Sequence, residues 1–333
     1  MADDVLRDLV PVDSVEVSVL VDNVTDSLST VPGDVVNEVP LLMKNGTLKM
    51  AAGEYRCCAH HGLSLIITAR AGAQRRTLVF DAGPEAYTVT RNGALLQIPF
   101  GDAGAVVLSH GHCDHAGGLT EAVRLVARQN GGRAVECHVN PGMFVPRGTL
   151  RHGGDCLPQK PVPSPDELTR AGATVVNRPE ARLLLDGCFY LSGEIPRVTP
   201  YEKGLPGHMK RSADGTAWEP DPWIRDERYV AVHVKGKGAV VFTACSHAGV
   251  VNVLTDARNV VGDIPLHAVM GGFHLSGGYV EDIIPDTIAD MQRFDLKRIV
   301  PAHCTGWRAV NALARTFGED VIVPSAVGRR FHF

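Results

Sequence analysis

The residues best suited to chemistry in this chain crowd into one short segment, AVVLSHGHCDHAGGL, residues 105–119. An apolar run ends at Ser109, and His110, His112, Asp114 and His115 follow at once. Packing alone gives no reason for a His, His, Asp, His set at i, i+2, i+4 and i+5. Imidazole and carboxylate are donors that borderline cations such as Zn²⁺ accept readily. Gly111 and the Gly117–Gly118 pair suit a tightly turned loop at the carboxyl end of a strand, where side chains converge. The segment reads as part of a metal centre.

Such a centre needs donors from distant sequence, and three other strand ends share the layout. The run 239–243 leads into Cys245 and His247, the run 266–270 into His274, and the run 298–300 into His303. If these ends point the same way, the groups meet in one cleft. Ser246 and Thr305 each stand just before a helical pattern and read as N-caps. Helix starts facing the cleft would favour a phosphate or carboxylate there.

The elements that must position these groups are short β-branched runs stopped by Gly, Pro, Asn or Asp. Strands are expected at 15–21, 63–68, 77–80, 105–108, 134–139, 174–176, 188–191, 229–234, 239–243, 266–270 and 298–300. Several are continuous apolar runs, the mark of strands covered on both faces. Helical patterns fall at 119–128, 249–257, 281–294 and 306–317. Strands and helices spread through both halves, which fits a layered α/β sandwich. Residues 1–333 read as a single domain with two long loops, 141–165 and 195–227, both rich in Pro, Gly and charge. The second carries Arg197, Lys203, Lys210, Arg211, Arg225, Tyr201, Trp218 and Trp223, and reads as a lid offering cationic and stacking contacts.

The motifs resemble the metallo-β-lactamase superfamily, whose H-x-H-x-D-H loop stands at 110–115 and whose strand-Asp-x-Gly element stands at 77–83. VEVSVLVDN near the start, HHGLSLII, SGEIPR, TACSHAGVVN, GGFHL and PAHCTG are similar to one branch of it. That branch is the dihydropteroate-synthase-like metallohydrolases, some labelled dihydropterin–ribofuranosylaminobenzene-phosphate synthases. The resemblance implies a four-layer αβ/βα sandwich with two divalent metal ions at one edge, Zn foremost and Mn or Fe as alternatives. Carried over by position, His110 and His112 hold the first ion, and Asp114, His115 and His303 the second. This chain departs from the pattern at two stations. Cys245 stands where a bridging Asp is usual, as ligand or as buried thiol. The third ligand of the first ion is either His247 or Glu194. His274 is left between substrate contact, support of a ligand and a cap.

The activity so implied is hydrolysis of a small anionic ester, lactone or phosphoester by a metal-activated hydroxide, with Asp114 or Asp81 handling protons. Ser246, His274, Thr305, Arg197 and Glu194 are the expected substrate contacts. A transferase of the dihydropterin/ribofuranosylaminobenzene-phosphate type, or a non-catalytic metal-binding sensor, would use the same site.

Composition limits the partners. The chain has 333 residues, 44% hydrophobic and 21% charged, which excludes a disordered or fibrous protein. With 33 basic against 37 acidic residues the net charge is −4, which argues against nucleic acid as partner. No apolar run is long enough to span a membrane, and the acidic start MADDVLRDLV is unlike a signal peptide. Eight cysteines without a C-x-x-C pair read as reduced thiols of a cytoplasmic protein. The expected partner is a small anionic molecule, with a homodimer left open.

Overall fold

Alternation along the strands decides the architecture. Val15, Val17 and Val19 point to one face of the first sheet, while Leu20 and Val21 join the cluster on the other. Leu65 and Ile67 likewise part from Ile66, and Leu78 and Phe80 from Val79. In the second sheet Val240 and Phe242 part from Val241, and Ala268 and Met270 from Val269. Each sheet is therefore apolar on both faces and must be covered twice. A computed structural model, which describes residues 9–333, satisfies this with four layers.

The first sheet has eight strands. Its half nearest the site runs from Ser64–Ala71 through Gln74–Phe80, Ala103–Val107 and Val135–Val139 to Ala173–Asn177, the last four parallel. The second sheet has six, ending in the parallel trio Gly238–Thr243, Leu266–Gly272 and Arg298–Ala302. The sheets face each other across one core. Helices Ala86–Leu96 and Leu119–Gln129 cover the first sheet, and Val250–Val261, Ile284–Met291 and Trp307–Phe317 the second. This is the expected αβ/βα sandwich. Parallel strands put their carboxyl ends on one edge, and the loops carrying Asp81, His110, Cys245, His274 and His303 all leave from that edge.

The two stretches expected as loops fold together instead. Arg147–Leu150 and Cys156–Pro158 from the first pair with His208–Arg211 and Trp218–Pro220 from the second, forming a four-stranded antiparallel sheet. Residues 165–171 add a short helix, with Ser164 and Glu167 capping each other. Among the described residues no helix is long and apolar enough to cross a membrane.

Candidate metal centre

The strand ends hold their side chains through strained turns. Asp81, Ser246, His274 and His303 all take positive φ, between 43° and 58°, although none is glycine. Non-glycine residues in that region cost roughly 1–3 kcal/mol each, and such positions collect at functional sites.

At the centre, His110 Nε2 lies 3.0 Å from His112 Nδ1, and His247 Nε2 lies 3.2 Å from the same atom. Donors about 2.0–2.1 Å from one tetrahedral ion sit roughly 3.3 Å apart, so this spacing fits a single cation. The far nitrogens of His110 and His112 have hydrogen-bond partners, whereas the buried His247 Nδ1 has none. Ser109 Oγ gives its proton to Asp81 Oδ2 at 2.7 Å and so accepts from His110 Nδ1 at 2.8 Å. That leaves the lone pair of His110 on Nε2, aimed inward. Burial pushes His110, His112 and His247 well below the ordinary histidine pKa, so all three are neutral.

Beside this trio lies a second group. His115 Nδ1 donates to Asp81 Oδ2 at 2.7 Å, and its Nε2 is 3.2 Å from Cys245 Sγ. His303 Nδ1 donates to Asn23 Oδ1 at 2.9 Å, and its buried Nε2 has no hydrogen-bond partner. That nitrogen is 3.4 Å from Asp114 Oδ2. Burial opposes a charge on Asp114, but His115 and His303 outweigh it and hold the carboxyl below its usual range. Burial also opposes a proton on His115, yet Asp114 and Asp81 lift its pKa to about 9. This pocket attracts positive charge, and burial raises the Cys245 thiol so far that a thiolate there needs a cation at its side. Groups of His, Cys and Asp with donor atoms within 4.8 Å of one another include His110, His112 and His247, and His110, His115 and Cys245. The residues therefore fit metal ions, and the buried His303 Nε2, which has no hydrogen-bond partner and faces the Asp114 carboxylate, is a donor such an ion would satisfy.

The structure brings His110, His112, Asp114, His115, Cys245, His247 and His303 together. It does not bring Glu194 to them. That carboxylate is half-exposed and paired with Arg225 at 2.8 Å, so it offers the first trio no ligand. Arg197 turns away as well, bonding the Ile195 and Trp223 carbonyls and lying over the Trp223 ring. Arg211 lies over Trp218 in the same manner. Of the expected lid residues, only Tyr201 and Lys203 line the cavity beside His247.

Asp81 is fully buried, with both oxygens occupied by Ser109 and His115. It orients ligands and is not placed to exchange protons with a substrate. Ser246 and Thr305 do not cap helices. Ser246 Oγ bonds Thr243 and the Gly272 carbonyl, and Thr305 Oγ1 bonds the Ala302 carbonyl and the Phe273 amide. The start of helix Val250–Val261 is closed by Glu202, which accepts from the Val251 and Asn252 amides at 2.9 Å each. Gly249 must lack a side chain here, since a Cβ would lie 2.0 Å from Glu202 Cδ. Glu202 thus satisfies the amides that Ser246 was expected to cap. His274 lies beside His247, ring centroids 4.4 Å apart, and lines the same cavity.

Several residues of the site went unrecognised in the sequence. His61 places Nε2 3.4 Å from Asp114 Oδ2 at the exposed rim. Glu227, buried, accepts from the His247 and Ala248 amides at 2.7 Å each and so fixes the loop that carries His247. His208 reaches His112 from behind. For His61 the motif HHGLSLII was a signal; the other two sit in a stretch without periodicity.

The architecture defines the class. A solved metal-dependent hydrolase of the β-lactamase superfamily matches with TM-score 0.68, covering 95% of this chain and 98% of that one at 20% identity. Unliganded yeast PDE1 matches with TM-score 0.52 over 97% of this chain and 100% of that one, at 10% identity. The chain has the metallo-β-lactamase fold. In sequence it is 27% identical over 274 residues to 7,8-dihydropterin-6-methyl-4-(beta-D-ribofuranosyl)-aminobenzene-5'-phosphate synthase of Methanocaldococcus jannaschii, covering 79% of this chain and 86% of the relative. An uncharacterized protein of the same organism is 28% identical over 259 residues, covering 77% of this chain and 88% of that one. No family model matches the chain. The named relative falls in the branch that the motifs resemble.

Proposed function

We propose that this protein is a metal-dependent hydrolase of a small anionic ester, lactone or phosphoester, using two divalent ions, Zn²⁺ foremost. The observation that carries the reading is the convergence of three neutral imidazoles, His110 Nε2, His112 Nδ1 and His247 Nε2, on one point. These would hold the first ion. Asp114, His115 and His303 would hold the second, with Cys245 between the two sets. Bound there, the ions supply Lewis acidity and draw the pKa of water towards 7.

The chain's own residues supply orientation and a binding wall. Asp81 keeps one proton of His115 on Nδ1, so that Nε2 is the nitrogen an ion would take in place of the second proton. Asp114 is the one carboxylate of the cluster with an exposed face, and its held negative charge suits it to an ion more than to a proton. A cavity of about 250 Å³ opens beside His247 and His274, lined also by Tyr201, Lys203, Phe273 and Tyr279. Ring faces with one ammonium group suit a small anionic molecule that carries a flat ring.

A transferase on the same site is the second reading, favoured by the synthase name of the relative. The test is a panel of phosphomonoesters, phosphodiesters, lactones and thioesters in ¹⁸O-labelled water, with and without EDTA. Hydrolysis puts label in the product and stops in EDTA. Transfer to an added acceptor leaves the product unlabelled. Turnover that persists in EDTA overturns both, and tight binding without turnover makes the protein a sensor.

A further inference from the structure

We infer that His208 is the positioning residue of the first metal pocket, fixing His112 in the tautomer that leaves Nδ1 free to bind an ion. The inference rests on the metal reading above and adds a residue to it from outside the loops that carry the ligands.

The argument follows the protons. His208 Nδ1 lies 2.7 Å from the Asp221 carbonyl oxygen, and a carbonyl only accepts, so Nδ1 carries the hydrogen. A neutral ring protonated on Nδ1 has its lone pair on Nε2, which is 3.0 Å from His112 Nε2. That contact calls for a hydrogen on His112 Nε2. The lone pair of His112 then sits on Nδ1, the atom facing His110 Nε2 at 3.0 Å and His247 Nε2 at 3.2 Å. The other tautomer of His112 would set two lone pairs against each other at the His208 contact and put an N–H into the metal pocket, whereas the lone pairs that meet on the His110 and His247 side are the ones an ion would accept. Hydrogen-bond partners on the far nitrogen are the usual means of orienting a ligand histidine.

What holds His208 is the four-stranded sheet. The residue opens the strand His208–Arg211 opposite Thr149, and it is buried. The same sheet grips the ligand loop a second time. Arg147 pairs with Asp226, and Asp226 Oδ2 accepts from the Gly111 amide at 2.8 Å. The approach is so close that a Cβ on Gly111 would meet Arg147 Nη1 at 2.5 Å and the Met143 carbonyl at 2.6 Å. The sheet formed by the two long stretches thus clamps the loop His110–His112 from behind, through one backbone bond and one imidazole.

The test uses the full chain with His208→Phe, which removes the acceptor, and His208→Gln, whose side-chain carbonyl can still accept from His112 Nε2. Chelator competition gives the two Zn²⁺ affinities, and long-range ¹H–¹⁵N spectra of the metal-free protein report the His112 tautomer. The expected result is His112 protonated on Nε2 in the wild type. His208→Phe then weakens one Zn²⁺ affinity about 10- to 100-fold and leaves the other unchanged, while His208→Gln recovers most of the loss. Wild-type affinities in His208→Phe overturn the inference. So does a wild-type His112 protonated on Nδ1, which decides the matter even if the Phe variant fails to fold. A wild type that binds no Zn²⁺ refutes the metal reading instead, and the tautomer measurement still stands.

Discussion

Asp81→Asn isolates the residue that ties both halves of the centre together. The wild-type carboxylate is fully buried and accepts from the Ser109 amide, the Ser109 hydroxyl and His115 Nδ1, each at 2.7 Å. An asparagine has one acceptor where the aspartate has two. With its oxygen towards Ser109 Oγ and His115, its NH₂ faces the Ser109 amide, donor against donor. Turned the other way, it strands two donors instead of one. Hydrogen bonds to a charged group contribute about 1.5–3 kcal/mol each, and an unsatisfied buried donor costs about 1–3 kcal/mol. Even the better orientation destabilises the fold by about 3–5 kcal/mol, the range for breaking a buried charge pair. The turned amide would also accept nothing from His115, freeing that ring to place its N–H towards Cys245. Urea unfolding of metal-free protein measures the first effect, and chelator competition for the second ion measures the other, with an expected loss of about 10- to 100-fold. A variant that unfolds within about 0.5 kcal/mol of the wild type and binds both ions unchanged would refute the orienting role of Asp81.

Other perturbations separate the remaining parts. Gly111→Ala forces a methyl group against Met143 and Arg147, and should cost about 1–3 kcal/mol in unfolding free energy while weakening metal binding. Burial pushes Glu202 up to about 7 from 4.5, so the folded protein keeps a proton there that the unfolded chain releases. The stability this gives is complete below pH 4.5 and is lost as pH rises through 7, about 3 kcal/mol in all; urea midpoints of Glu202→Gln should lack that slope. Cys245→Ser in Co²⁺-loaded protein should abolish the thiolate-to-metal charge-transfer band and lower occupancy of the second pocket. An unchanged spectrum and metal content would make Cys245 a structural thiol.

Much of the scaffold was legible because burial on both faces leaves a plain mark. Runs such as Ala239–Thr243 and Leu266–Met270 are mostly apolar and lie inside the observed strands. The ligand quartet was legible for the opposite reason, since His110, His112, Asp114 and His115 have no packing role that their spacing would serve. The short strands His208–Arg211 and Trp218–Pro220 gave no such mark. They are four and three residues long and polar, and the sheet partner of the first lies across the chain near residue 150. His208 was hidden with them. The helix starts misled because Ser246 and Thr305 have the right residue type in the right place. Neighbouring strand ends claim their hydroxyls, and Glu202, nearly fifty residues upstream, closes the helix instead. Local propensity cannot reveal a cap supplied from that distance.

The central claim is that these strand ends hold two metal ions, and metal content measures it directly. Protein purified without exposure to chelator should carry about two equivalents of Zn²⁺, Mn²⁺ or Fe, and the double variant His110→Ala, His112→Ala should lose at least one while keeping its fold. Wild-type protein that contains no metal and takes up none from Zn²⁺ at neutral pH would contradict the account.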